Sequence, residues 1–217
     1  MYRENIMEES VLISVREEMA KLISPKRFEH TLGVEREIQS LCALYLPEKV
    51  KEMRVAALLH DITKELSPSE HIKLLEKYGV TIPESYRRNP KLFHALTGAY
   101  LAREKFAKFV DDRMFSAILY HTTGRRDMTT EEKLLYLADY IEDTRTFDDC
   151  VRLRKYFYDN IATASTNDEK KSVLDKTLLY SFDMTIKVLV LEDAEIDLNT
   201  VDARNFLIEE INSTQNK

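Results

Sequence analysis

Apolar residues recur at spacings of three and four along most of this 217-residue sequence, which is the pattern of amphipathic α-helices. Before Ser24 and Pro25 interrupt it, the first such stretch contains Val11, Leu12, Val15, Met19, Leu22 and Ile23. Glycine and proline together supply only nine residues, about 4% of the chain where roughly 12% is usual. Sandwiches and barrels need more turns than that, so the sequence predicts an all-α fold, a single-domain helical bundle.

Proline, serine and glycine mark the ends of the predicted helices. Pro25 suits the first turn of a second helix, and Pro47 ends it. Residues 67–70 form a capping box with proline at the first helical position, and Gly79 is a good stop. The predicted helices cover residues 10–23, 25–46, 47–62, 68–78, 92–109, 111–120 and 130–143 and most of the chain from residue 151, including the KVLVL run at 187–191; residues 80–91 and the HTTGRRDMTT segment are predicted loops. We assign residues 1–24 to an N-terminal helix packed on a domain that spans residues 25–217.

Charge and cysteine content exclude several classes of protein. A formal charge of −6 argues against a surface that follows nucleic-acid phosphates, so a polyanionic ligand would need a local positive site. No run of about 18 apolar residues could span a membrane, and the N-terminus lacks the apolar core of a secretory signal. Cys42 and Cys150 form no CxxC pair and no disulfide framework. We expect a cytoplasmic protein with reduced thiols and no nucleic-acid or membrane partner.

The sequence contains five histidines, and one of them is followed directly by an aspartate: they are His30, His60, His71, His94 and His121. The pair His60-Asp61 ends the apolar run VAALL, and Asp139 stands in the equally apolar LLYLADYIED. A buried carboxylate is costly unless it is paired or binds a metal. These aspartates are therefore candidates for a metal site, and so is His30, which shares a helix with Phe28 and Leu32.

The order of these groups along the chain is H…HD…H…H…D once His94 and His121 are included. One imidazole, a His-Asp pair and a distant aspartate on separate helices would give a mixed nitrogen and oxygen site with positions open to water and substrate. From the residues alone, this arrangement predicts a metal-dependent hydrolase of an anionic, phosphorylated compound.

The local sequences around these groups resemble those of the HD phosphohydrolase superfamily and, more closely, of its YqeK family. The resemblance is carried by RFEHTLGV, AALLHDITK, FHALTGAYLA, ILYHTTGR with DMTTEEKLLYLADYIEDTR, and TVDARNFL, which extend in order from Arg27 to Leu207. It implies an all-helical HD domain and a symmetrical bis(5′-nucleosyl)-tetraphosphatase. Such an enzyme cuts the dinucleoside polyphosphate diadenosine tetraphosphate into two ADP by attack of a metal-bound water, with iron as the metal.

The resemblance also implies roles for individual residues. His30, His60, Asp61 and Asp139 match metal ligands, and Asp61 and Lys64 are the catalytic candidates. His94 and His121 match positions that hold a second metal or contact the phosphates. The number of divalent ions in the site, one or two, is therefore left open. The predicted substrate-binding residues are Arg27, Lys64, His94, His121, Thr122, Thr123, Gly124, Arg125 and Arg145.

Two further residues carry separate expectations. Tyr180, on an apolar C-terminal helix, is a candidate for stacking on a base. His71 lies outside the pattern and is predicted to face solvent. The sequence leaves open whether the protein forms a homodimer.

Other activities share the HD constellation. The sequence has no GYP element of the kind expected in a cyclic-dinucleotide phosphodiesterase, and Ile62 to Glu65 replace the acidic pair expected in an alarmone hydrolase. The alternatives left open are a hydrolase of nucleoside mono- or triphosphates and a non-catalytic nucleotide-binding HD protein.

Overall fold

The computed structural model describes residues 2–215, with side chains from residue 9 to residue 213, and this part of the chain contains helices and turns but no strand. The predicted all-α fold is confirmed. The helices are α1 (Tyr2–Leu22), α2 (Pro25–Tyr45), α3 (Val50–Leu59), α4 (Pro68–Lys77), α5 (Glu84–Arg88), α6 (Phe93–Lys105), α7 (Asp112–Tyr120), α8 (Thr130–Ile141), α9 (Asp148–Ile161), α10 (Asn167–Leu191) and α11 (Leu198–Gln215).

Side-chain caps fix several of the helix ends. Ser24 accepts a hydrogen bond from the backbone N–H of Arg27, and Ser67 and Glu70 form the predicted capping box. Further capping boxes begin α8 at Thr129 and α10 at Thr166. These side chains satisfy N–H groups that lack a partner in the first helical turn.

The structure corrects several predicted boundaries. Helix α1 begins at Tyr2 instead of residue 10, and the helix predicted to begin at residue 47 begins at Val50, after a short 3₁₀ turn at Pro47–Lys49. Residues 80–91, predicted as a loop, contain α5, where buried Tyr86 meets the ring of Phe93 edge to face at 6.2 Å. The helix predicted to reach residue 109 ends at Lys105, and residues 106–109 form a turn. Helix α3 ends at residue 59 and α8 at residue 141, two or three residues earlier than predicted. The KVLVL run is helical, as predicted.

Helix α3 lies at the centre of the bundle, where it packs against α1, α2, α7 and α8. Its last five residues, 55–59, are buried, which explains the unbroken apolar run before His60. Leu12, Val15 and Met19 of α1 belong to the same core.

The division of the chain after residue 24 stays a prediction. Within the described residues, no helix combines the length and the hydrophobicity needed to cross a bilayer.

Candidate metal centre

Six side chains that lie far apart in the sequence meet at one end of the bundle, and we call them the acceptor cluster. They are His30 of α2, His60 and Asp61 after α3, His94 of α6, His121 after α7 and Asp139 of α8. The Nε2 atom of His30 lies 3.0 Å from Oδ1 of Asp139, and Nε2 of His60 lies 3.5 Å from Oδ2 of Asp61. Asp61 is 1% exposed and His60 is fully buried, so both side chains are shielded from solvent.

Backbone carbonyls orient three of the four imidazoles. The Nδ1–H groups of His60, His94 and His121 donate to the carbonyl oxygens of Ala57, Lys91 and Ile118, at 2.6, 2.7 and 2.7 Å. Each carbonyl belongs to the residue three positions earlier, in the last turn of a helix or in a short 3₁₀ turn. Such carbonyls lack a partner within their own helix. With Nδ1 as the donor, each ring turns the lone pair of Nε2 toward the acceptor cluster.

The chemistry of the acceptor cluster fits a bound cation. Nε2 of His94 lies 3.1 Å from Nε2 of His121, and two nitrogen lone pairs form no hydrogen bond with each other. The described side chains with buried polar atoms that lack a hydrogen-bond partner include three from this cluster: His30 Nε2, His60 Nε2 and Asp61 Oδ1. Buried acceptors that face one another need a proton or a metal ion between them.

The pKa values describe the charge state of the acceptor cluster. Burial alone would raise the pKa of Asp61, but His60 and His121 hold it well below its usual range. Burial opposes protonation of His60, yet Asp61 and Asp139 raise its pKa to about 10. Burial holds the pKa of His94 well below its usual range. The carboxylates therefore stay ionised and attract a positive charge into the acceptor cluster.

Two overlapping groups of ligand atoms could hold a metal ion, each with its atoms within 4.8 Å of one another. One consists of His30, His60 and Asp139, and the other of His60, Asp61 and His121. Asp61 reaches both sides of the acceptor cluster. Its Oδ2 lies 3.8 Å from His30 Nε2, and its Oδ1 lies 3.3 Å from His94 Nε2 and 3.7 Å from His121 Nε2.

Three of the predicted positive side chains lie against the acceptor cluster. Arg27 Nη1 donates to Asp61 Oδ2 at 2.9 Å, and Lys64 Nζ lies 2.9 Å from Nε2 of His94. Arg145 donates to Oδ1 of Asp139 at 2.5 Å and to its carbonyl oxygen at 2.7 Å. The protein thus places positive charges beside the carboxylates of the acceptor cluster despite its net negative charge.

The HTTGR segment is divided between the acceptor cluster and the core. Thr122 reaches it, with Oγ1 3.2 Å from Nε2 of His94, whereas Thr123 is buried and donates to the Gly124 carbonyl. A Cβ on Gly124, whose φ is +64°, would lie 2.6 Å from the Phe182 ring. Gly124 therefore packs closely against α10, and its predicted contact with the substrate stays a prediction. Arg125 pairs with Glu132 at 2.9 Å and is not brought to the acceptor cluster.

The prediction that His71 faces solvent is wrong. His71 is 3% exposed, its Nδ1 is hydrogen-bonded to Thr97 Oγ1 at 2.8 Å, and its ring stacks on Phe93 with ring centres 5.6 Å apart. Leu75, four residues later on α4, is also buried. That spacing of four places both residues on the face of α4 that packs against α6, which the sequence could have revealed.

Two cavities open beside the acceptor cluster, and Arg145 and Phe147 line both of them. The first, of about 450 Å³, has walls from Tyr136, Tyr140, Phe147, Val188 and Leu189 and is bordered by His121 and Asp139. The second, of about 500 Å³, is polar and is lined by Lys26, Arg27, His30 and Thr144 among others. Tyr180 lines neither cavity and meets the Tyr156 ring. Sequence patterns alone missed Tyr136, Tyr140 and Phe147.

Comparison with known proteins points to the same part of the chain. Residues 27–144 match the family described as HD domain. The symmetrical bis(5′-nucleosyl)-tetraphosphatase of Bacillus subtilis (strain 168) is 34% identical over 147 residues, which cover 68% of this chain and 75% of that protein. The protein of the same name from Staphylococcus aureus (strain NCTC 8325 / PS 47) is 27% identical over 181 residues, 83% of this chain and 86% of that protein.

A solved structure shares the fold. A crystal structure described as a predicted HD superfamily hydrolase involved in NAD metabolism from Clostridium acetobutylicum is similar at a TM-score of 0.78 and 33% identity. The similarity covers 91% of this chain and 96% of that chain. The structural similarity covers a larger part of the chain than the family match at residues 27–144. The shared fold therefore extends beyond the acceptor cluster.

Proposed function

The chain belongs to the HD domain family and, within it, to the symmetrical bis(5′-nucleosyl)-tetraphosphatases, and we propose that it hydrolyses diadenosine tetraphosphate at the acceptor cluster. The observation that supports this site is the convergence of four buried imidazoles, the buried carboxylate of Asp61 and the partly exposed carboxylate of Asp139, beside three positive side chains. The first set of groups suits a cation and the second suits a polyphosphate.

The metal ligands in this proposal are His30, His60, Asp61 and Asp139, with His94 and His121 completing a site for a second ion. When bound, a divalent cation would supply Lewis-acid chemistry, lowering the pKa of a coordinated water toward about 7 and offsetting charge on phosphoryl oxygens. Asp61 is the residue placed to serve both positions, because its two oxygens face different pairs of histidines.

The positive side chains bind and orient the polyphosphate. Arg27 and Arg145 present guanidinium groups on two sides of the acceptor cluster, and a planar guanidinium binds a phosphate through two parallel hydrogen bonds. Lys64 presents a donor within 2.9 Å of His94 Nε2, where an anionic oxygen would replace the imidazole as its acceptor. These residues hold the phosphates in place and stabilise the charge that develops during cleavage.

The two cavities match the two nucleoside ends of the substrate. The aromatic walls of the first, at Tyr136, Tyr140 and Phe147, suit the face of a base. The second cavity offers polar groups to the other half of the molecule. Arg145 lies between them, where the central phosphates of a bound dinucleotide would pass.

The remaining features of the proposal stay predictions. They are iron as the metal, ADP as the product, binding of one or two ions, a cytoplasmic location and a homodimer. A site of imidazole and carboxylate ligands suits iron, and it also suits manganese, cobalt, nickel and zinc.

Product analysis tests the proposed function. Metal-loaded protein is incubated in ¹⁸O-labelled water with diadenosine tetraphosphate, ATP, GTP, AMP and a phosphate monoester, and the nucleotides are separated and weighed by mass spectrometry. We expect ADP as the sole nucleotide product of diadenosine tetraphosphate, with one ¹⁸O atom for every two ADP. Formation of AMP and ATP, or faster hydrolysis of a mononucleotide, would contradict the proposal.

A further inference from the structure

His30 differs from the other three histidines of the acceptor cluster in what orients its ring. It lies in the second turn of α2, where carbonyl oxygens already accept intrahelical hydrogen bonds, so it has no free carbonyl of the kind that His60, His94 and His121 use. Its Nδ1 atom instead lies 3.1 Å from Oε1 of Glu142. Glu142 follows the last residue of α8 and is fully buried.

The Glu142 carboxylate is held in place from both of its oxygens. Thr144 donates its hydroxyl to Oε1 at 2.8 Å and its backbone N–H to Oε2 at 2.7 Å. Among the side chains that the structure describes, no lysine or arginine pairs with this carboxylate, and its basic neighbour is His30. A carboxylate fixed in this way accepts a proton from Nδ1 and leaves the lone pair of Nε2 free for a ligand.

Helix α2 has no side chain at the position that faces the Glu142 carboxylate. Gly33 lies three residues after His30, on the same side of the helix. A Cβ on Gly33 would lie 3.0 Å from Cδ of Glu142 and closer still to its Oε2, where no real Cβ atom fits. Glycine in the middle of a helix is less favourable than alanine, so the helix gives up stability at this position.

We propose that Glu142 is a positioning residue that sets the tautomer and orientation of His30 as a metal ligand, and that Gly33 is glycine in order to admit its carboxylate. The inference rests on the proposed metal centre. It assigns a role in the metal site to two residues that the H…HD…H…H…D pattern does not include. Partners of this kind typically change metal affinity 10- to 100-fold when they are removed.

The test measures binding of Co²⁺ alone, without nucleotide, by calorimetric titration and by the visible absorption of the bound ion. The variants are Glu142→Ala, Glu142→Gln, Gly33→Ala and the double variant Gly33→Ala with Glu142→Ala. Glu131→Ala is the matched control, because Glu131 is a buried acid in the first turn of α8 and pairs with Arg113 away from the acceptor cluster. Circular dichroism checks that each variant is folded.

We expect Glu142→Ala to weaken Co²⁺ binding about 10- to 100-fold and to shift the visible band, with Glu131→Ala unchanged. Glu142→Gln, which keeps the volume and one acceptor, should lose less. Gly33→Ala should weaken binding to a similar degree although it removes no hydrogen-bonding atom and raises helix propensity. In the Glu142→Ala background, Gly33→Ala should have almost no further effect, because the carboxylate it displaces is gone.

Two results would overturn the inference. One is wild-type Co²⁺ affinity and spectrum in folded Gly33→Ala or Glu142→Gln, and the other is full additivity of the two losses in the double variant. If Glu142→Ala does not fold, the Glu142→Gln and Gly33→Ala measurements decide. Wild-type protein that binds Co²⁺ but leaves diadenosine tetraphosphate intact would refute the proposed function without touching this inference.

Discussion

Two hydrogen-bonding networks that include buried histidines lie side by side in this protein, one around His71 and the other in the acceptor cluster. They differ in the balance of donors and acceptors. In the network around His71, the hydroxyl of Thr97 lies 2.8 Å from His71 Nδ1 and donates to the Phe93 carbonyl, while Thr63 donates to the His94 carbonyl. In the acceptor cluster, the Nε2 atoms of His94 and His121 face one another, and three further buried acceptor atoms have no hydrogen-bond partner. The difference shows that a buried histidine does not by itself mark a metal site, whereas an excess of buried acceptors does.

The largest effect that separates the two networks should come from Asp61→Ala. Asp61 lies within 3.8 Å of all four histidines of the acceptor cluster, so its removal takes away the carboxylate whose two oxygens face both pairs of histidines. We expect hydrolysis to fall below detection and metal content to drop sharply, with the far-ultraviolet circular dichroism nearly unchanged. Full metal occupancy together with activity in this variant would show that the site is assigned to the wrong residues.

Removal of the metal should destabilise the wild-type protein, because it leaves the acceptor cluster without its cation. At a free metal concentration about 100-fold above Kd, binding contributes ~2.7 kcal/mol of stability. For a chain of this size, that corresponds to a fall in Tm of about 5–10 °C on chelation. Scanning calorimetry of loaded and chelated protein measures it. His71→Ala should show the same fall, and Asp61→Ala should show almost none.

Arg145→Ala tests whether the acceptor cluster is joined to a phosphate-binding site. A hydrogen bond to a charged group contributes about 1.5–3 kcal/mol, so kcat/KM for diadenosine tetraphosphate should fall roughly 10- to 100-fold. Hydrolysis of a simple phosphate monoester, which is too short to use a remote arginine, should change much less. Arg36→Ala, which removes an exposed arginine paired with Asp143, is the control. Equal losses for both substrates would mean that Arg145 acts by holding Asp139.

Periodicity and capping residues were sufficient to place the helices other than α5, though not all of their ends, because both signals depend on neighbours in the sequence. Predicting α5 would have required knowing that Tyr86 packs on Phe93, a contact between separate elements. The H…HD…H…H…D pattern located the acceptor cluster because each of its residues is anomalous in its own apolar segment. Glu142 and Gly33 could not be found from the sequence, since each gains its meaning only from the other's position in space.

A substitution in the His71 network should lower the free energy of unfolding without changing the acceptor cluster. His71→Ala removes the ring that stacks on Phe93 and leaves a cavity between α4 and α6. We expect a loss of about 1–3 kcal/mol in the free energy of unfolding, measured by urea titration. Co²⁺ affinity and turnover per folded molecule should stay within about threefold of wild type. A tenfold loss of Co²⁺ affinity would mean that the two networks are coupled through Thr63 and the His94 carbonyl.

The smallest effect concerns the pH dependence of stability in the same network. Burial lowers the pKa of His71 in the folded protein, with Glu70 opposing it, while the unfolded chain keeps the ordinary value of about 6.5. As the pH falls through about 6.5, the unfolded state therefore binds a proton that the folded state still refuses, and stability is lost. Wild-type protein should lose more stability between roughly pH 7.5 and 5.5 than His71→Ala does, with metal loading held equal in both. Parallel pH profiles for the two proteins would show that His71 stays protonated to the same extent in the folded and unfolded states, so that its burial does not discriminate between charged and neutral imidazole.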